Sequence, residues 1–144
     1  MPQPDAPTIE GVDLDGLTDY LADADIVFAV LFGSHARGEA DPSSDIDIAL
    51  CFPEALDETE RFHRRNRIDA ELQEYADGFV DVSDIAQLPT PIAYRAIREG
   101  VLLLGDEDAA QRFQKLVTAD YERTARERER ERDAFIDRLA RGDT

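Results

Sequence analysis

A chain of 144 residues is about one domain's worth of sequence, enough to bury roughly two-thirds of its unfolded surface around a single core. Its 33 acidic residues against 16 basic ones give a net charge of −17 at pH 7, and up to Glu60 the only Lys or Arg is Arg37. That balance disfavours a phosphate-backbone-binding surface in the first half, so no direct nucleic-acid binding is expected.

No apolar run approaches the roughly 18 to 20 residues of a membrane span, and Met1-Pro2-Gln3-Pro4-Asp5 lacks the basic and apolar regions of a signal peptide. The expectation is a cytoplasmic protein with no membrane partner. The acidic residues are mostly Asp, and the basic ones are Arg apart from Lys115. Such self-repulsion suits a high-salt interior where screening is strong, so a halophilic source is expected. The lone Cys51 cannot form an internal disulfide and reads as a small apolar residue of a strand, with a catalytic thiol as the rarer alternative.

Residues 1–11 are Pro-rich and acidic and read as a flexible arm, leaving 12–144 as a single domain. Leu14, Leu17, Tyr20 and Leu21 fall at helical spacing, predicting a helix that ends near Asp25. Ile26 to Phe32 is apolar throughout and predicts a strand buried on both faces. A second strand is expected over about Asp45 to Phe52, stopped by Pro53, which has no N–H for a ladder. Asp57 to Asp77 predict a helix with Phe62, Ile68, Leu72 and Tyr75 inward, Arg61, Arg64, Arg65 and Arg67 around the outside, and Gly78 as its stop. Phe79 to Ile85 has strand length and β-branched character. Thr90 is a candidate N-cap with Pro91 at the first position of a helix over Ile92 to Glu99, followed by a short apolar segment, Val101 to Leu104. From 106 to 141 no Pro or Gly interrupts one long helix, with Phe113, Leu116, Val117, Tyr121, Phe135, Ile136 and Leu139 as anchors.

The chemistry centres on Gly33 to Asp47. Asp45 and Asp47 are two residues apart, so in a strand they project from the same face. Two carboxylates held side by side on a half-buried sheet repel each other, and a divalent cation removes that cost. Magnesium suits hard oxygen ligands completed by water and substrate phosphates. Gly33 lets the backbone approach a ligand, Ser34 can cap the next turn, and the N–H groups of Ser34, His35 and Ala36 would form an anion site. Phosphate on one side and metal carboxylates on the other make a nucleoside triphosphate site. Asp81, between Val80 and Val82 on a neighbouring strand, is the candidate third carboxylate, able to help hold a metal and to take the nucleophile's proton. The implied reaction is nucleotidyl transfer with loss of pyrophosphate, using two ions that clamp the attacking and leaving oxygens.

The spacing Gly33-Ser34, ten residues, Asp45-Ile46-Asp47 resembles the signature of the polymerase-β-like nucleotidyltransferase superfamily. The fuller string Phe32 to Gly38 with Ser44 to Asp47 is similar to its minimal nucleotidyltransferases, as are Val80-Asp81-Val82 and Ile97 to Leu103. The resemblance implies an α/β (α+β) fold, a small mixed sheet flanked by helices, with the long C-terminal helix compatible. It also implies ATP and magnesium as cosubstrates and a HEPN-domain ribonuclease toxin as partner, in which the enzyme, as antitoxin, attaches AMP to a tyrosine. Carried over by residue, Gly33 and Ser34 bind triphosphate, Asp45 and Asp47 bind metal, and Asp81 is metal ligand or base.

Several readings stay open. A non-catalytic antitoxin acting by binding alone would use the same surface, and a small-molecule enzyme of aminoglycoside type is a third reading, disfavoured by the lack of a second domain. Arg37 is a candidate for phosphate or protein contact, or for pairing with the site carboxylates to hold the turn. His35 reads as an exposed turn residue and His63 as a surface one. Asp84, on the opposite face from Asp81, reads as surface, and the Arg61 to Arg67 cluster as a solvated face or as toxin or nucleotide contact. The segment Tyr121 to Asp133 has many charge pairs at helical spacing, each worth about 0.2 to 0.5 kcal/mol. Solvated helix, partner docking through Phe135, Ile136 and Leu139, and a homo-oligomer are all compatible with it.

Overall fold

The structure is a computed structural model in which residues 9–41 and 43–142 are described. Helix α1 (Leu14–Ala22) leads to β1 (Phe28–Phe32), a single helical turn α2 (Ser34–Arg37) and β2 (Ile46–Cys51). Then follow α3 (Glu58–Leu72), β3 (Val80–Asp84), α4 (Thr90–Glu99), β4 (Val101–Gly105) and α5 (Glu107–Ala140). The sheet order is β3-β2-β1-β4; β1 runs antiparallel to both β2 and β4, while β2 and β3 are parallel. This is the mixed sheet flanked by helices that the family resemblance implies. No helix among the described residues is long and apolar enough to cross a membrane.

Strand alternation divides the core between two faces. Ala29, Leu31, Ile46, Ile48, Leu50, Val80 and Val82 pack with Leu17 and Leu21 of α1 and Ile68 and Leu72 of α3. On the opposite face Phe28, Val30 and Ala49 meet Ile97 of α4 and Phe113 of α5. β1 is thus buried on both sides, as its unbroken apolar run predicts. Asp57 starts α3 with a capping box, its carboxylate accepting from Glu60 N–H at 2.8 Å.

Several local expectations are corrected. Of the predicted arm, residues 1–8 lie outside the described residues, but Ile9 is buried in the core and the Gly11 carbonyl accepts from Asp77 N–H at 2.8 Å. Thr90 is the first helical residue of α4 rather than its cap; its hydroxyl donates to Asp120 of α5 at 2.8 Å, pinning the two helices together. The long helix is continuous, but its anchors are confined to its first half. Phe113 meets Phe28 edge-on at 5.9 Å and Tyr121 stacks on Tyr94 at 4.1 Å, whereas Leu116, Phe135, Ile136 and Leu139 are exposed.

The largest correction concerns α3. Phe62 is not inward but 58% exposed, and Arg61 and Arg65 are not a solvated face. Arg61 Nε donates to the buried Asp84 carboxylate at 3.1 Å, so Asp84 is not a surface residue either. Arg65 donates to Val82 O at 2.7 Å, Asp69 accepts from Val82 N–H at 3.2 Å, and the Gln73 amide both donates to Val80 O at 2.6 Å and accepts from Val80 N–H at 2.9 Å. Residues 61, 65, 69 and 73 are spaced by four, one stripe of the helix. The side chains of Arg65, Asp69 and Gln73 occupy the outward backbone groups of Val80 and Val82 on the edge strand β3, groups that would otherwise invite another strand. Gln73→Ala is expected to cost about 1 to 2 kcal/mol in chemical denaturation and to increase self-association, read by light scattering.

Candidate active site

The site is built where β1 ends. Gly33 has φ 77° and ψ −156°, a backbone region essentially reserved for glycine. A Cβ there would lie 2.3 Å from Asp47 Oδ2, so the bare backbone of the turn rests directly against that carboxylate. Gly33, not Ser34, is the N-cap of α2, and Ser34 is its first helical residue with no side-chain cap. The N–H groups of Ala36 and Arg37 donate back to the Gly33 carbonyl at 3.2 Å each, which narrows the expected cradle of Ser34, His35 and Ala36 N–H groups to the first two.

The loop that returns to β2 is held by contacts the sequence reading missed. His35 is half-buried rather than exposed, and its Nε2 lies 3.2 Å from the Ser44 carbonyl, which makes it the donor. Asp41 accepts from Ser43 N–H at 2.8 Å and from the Ser43 hydroxyl at 2.6 Å, hydrogen bonds that hold its carboxyl below the usual range. The signal was legible in the Asp41 and Ser43-Ser44 composition, a common side-chain turn. Arg37 pairs with Glu39 at 3.0 Å and reaches Glu99 at 3.9 Å, rather than bonding the site carboxylates.

Asp45 is exposed just before β2, and Asp47 is half-buried within it on the face of Ala49. Asp47 stands opposite Phe32 on β1 and opposite Asp81 on β3. Because β2 and β3 are parallel and in register, Asp47 and Asp81 project from the same face of neighbouring strands. Burial, then the charges of Asp81 and Asp45, push the Asp47 carboxyl above its ordinary range, with His35 and Arg37 opposing. Asp47 and Asp81 are therefore brought to one end of one face, with Asp45 just before the strand and Gly33 and Ser34 at the neighbouring strand's end. Among the described residues no three His, Cys, Asp or Glu side chains are gathered so as to hold a metal ion. The donor chemistry nevertheless fits a hard divalent cation: oxygen ligands only, crowded like charges, and two exposed partners free to turn.

The family described as "Polymerase beta, Nucleotidyltransferase" matches residues 16–109, which include all of these positions. The chain belongs to this nucleotidyltransferase family. It is 27% identical over 99 residues to the protein adenylyltransferase MntA of Shewanella oneidensis, covering 69% of this chain and 68% of that one. Among solved structures, a chain of a toxin-antitoxin with AMP-PNP is similar with TM-score 0.68 and 24% identity, covering 87% of this chain and 99% of that one. A chain from the complex of tri-AMPylated Shewanella oneidensis HEPN toxin with MNT antitoxin gives TM-score 0.60 at 20% identity, covering 85% and 98%. At these identities the structures show that the nucleotidyltransferase fold is shared.

Cys51 takes no part. Burial, then the charges of Asp84 and Glu54, push its thiol up to about 11, so it is protonated at neutral pH. At pH 7.5 iodoacetamide should label it about 100-fold more slowly in the native protein than in urea, as read by mass spectrometry.

Proposed function

We propose that this nucleotidyltransferase is a magnesium-dependent protein adenylyltransferase that moves AMP from ATP to a hydroxyl, the tyrosine of a HEPN-domain toxin, and acts as that toxin's antitoxin. The observation that carries the reading is the register of Asp47 with Asp81 beside the glycine turn. Gly33 and Ser34 would take the triphosphate, with Arg37 at the rim. Asp45 and Asp47, with Asp81, would hold magnesium, which when bound supplies charge neutralisation at the phosphates. Asp81, exposed at the strand edge, would accept the proton of the incoming hydroxyl. The similarity to MntA, a protein adenylyltransferase, supports the choice of acceptor class.

The domain proposed for 12–144 extends back to Ile9, which is buried in the core of the same single sheet. The net charge of −17 supports a high-salt cytoplasm, and the melting temperature should rise with KCl if screening relieves self-repulsion. The test of function is incubation with ATP, magnesium and the product of the adjacent gene, followed by intact-mass spectrometry of that product. An adenylate increment is expected; none, with a folded enzyme that binds ATP, rejects the proposal.

A further inference from the structure

We infer that a groove beside the β3 edge receives the acceptor, a neutral aromatic hydroxyl side chain on a partner polypeptide, and that Phe62 sets its affinity. The inference deepens the proposed function and takes its direction of attack from it. In an in-line displacement the nucleophile enters opposite the leaving group. The sheet places Gly33 and Ser34 on the β1 flank, Asp47 in the middle and Asp81 on the β3 flank. With the leaving pyrophosphate on the β1 flank, the acceptor has to enter across β3. There the acceptor O–H bond breaks with its proton passing to Asp81, the oxygen bonds the α-phosphorus, and the bond to pyrophosphate breaks.

A cavity of about 400 Å³ lies on that flank, lined by Arg61, Phe62 and Arg65 of α3, Asp81 and Ser83 of β3, and Leu88. Its size is in the range of small-ligand sites and its walls are mixed apolar and polar. The partner cannot bind here by adding a strand, because the outward backbone groups of Val80 and Val82 already bond Arg65, Asp69 and Gln73. Insertion of a side chain is what remains. Nor is the groove built for an acidic group: Arg61 is held by Asp84 and the Leu56 carbonyl, and Arg65 by the Val82 carbonyl. Phe62 is 58% exposed on a helix whose Ile68 and Leu72 are buried, so the groove offers an aromatic wall beside a proton acceptor. Aromatic rings favour offset or edge-on contact with such a wall.

The test measures AMP transfer from ATP to the HEPN-domain product of the adjacent gene by the wild type, Phe62→Ala, Phe62→Tyr and Leu116→Ala, the last an exposed apolar residue outside the groove. Phe62→Ala should raise the acceptor KM about tenfold while kcat and the KM for ATP stay within about twofold. Phe62→Tyr should restore the acceptor KM, and Leu116→Ala should leave it alone. An unchanged acceptor KM in Phe62→Ala overturns the inference. If the wild type transfers nothing, the proposed function fails and the groove is read separately, by NMR titration of labelled protein with N-acetyl-L-tyrosinamide. Shift changes clustered at Phe62, Asp81 and Leu88, and lost in Phe62→Ala, support the groove; none, or changes elsewhere, reject it.

Discussion

Asp47→Asn is expected to abolish nucleotidyl transfer, by about 1,000-fold or more, while leaving the magnesium-free protein at least as stable as the wild type. The two effects have one origin. Asp47 is half-buried beside Asp45 and across from Asp81, and its carboxyl is raised above 3.8 first by burial and then by those two charges. A raised carboxyl binds its proton more tightly in the folded than in the unfolded chain. Its favourable contribution is therefore present below the ordinary carboxylate range and is lost as pH rises through the raised value. At neutral pH the wild type carries the repulsion and the amide does not. Magnesium should reverse the order: by binding the folded wild type it should raise the melting temperature by mass action, with no comparable rise in Asp47→Asn. Thermal melts at pH 7.5 with and without magnesium, beside the transfer assay, decide the matter. A variant that keeps activity within tenfold, or that melts well below the magnesium-free wild type, contradicts this account.

The parts of the site legible in the sequence were those whose geometry is set by neighbours in the chain. Strand periodicity places Asp47 on the face of Ala49, although β2 starts one residue after Asp45, and a glycine between an apolar strand and a polar turn marks a close approach. Asp81 was legible as a carboxylate within a strand; that it stands opposite Asp47 depends on the parallel register of β3, which no local pattern fixes. Helix α3 shows why the rest was hidden. Residues 61, 65, 68 and 72 fall on one helical stripe, so phase alone turns Arg61 and Arg65 inward with Ile68 and Leu72. Polarity argued the other way, because nothing local says that an edge strand needing donors and acceptors lies alongside. Asp84 is hidden from local pattern for the same reason, since its partner Arg61 is 23 residues away in the chain. Thr90 bonds Asp120, 30 residues on, in preference to capping its own helix. Tertiary hydrogen bonds overrode each local expectation, and the sequence carries them only as isolated polar residues.

Gly33→Ala is the second substitution with a large expected effect, and it probes the turn rather than the charge. At φ 77° and ψ −156° the new methyl group meets strain on the order of 1 to 3 kcal/mol before any neighbour is considered. It would also lie 2.3 Å from Asp47 Oδ2 and 3.2 Å from its Cγ, so the carboxylate has to move or the turn has to open. Either response separates the Ser34 N–H from Asp47, the two groups that would share one triphosphate. Activity should therefore fall about 100-fold or more, since displacements of about 1 Å at a reacting centre carry costs of that size. Unfolding free energy should fall by about 2 kcal/mol in urea denaturation. The two losses can be told apart by temperature. If strain alone were responsible, working well below the melting point would restore transfer; if the turn positions substrate against Asp47, the deficit persists in fully folded protein, with a raised KM for ATP. Wild-type kinetics in a folded Gly33→Ala protein would show that the close approach has no part in catalysis.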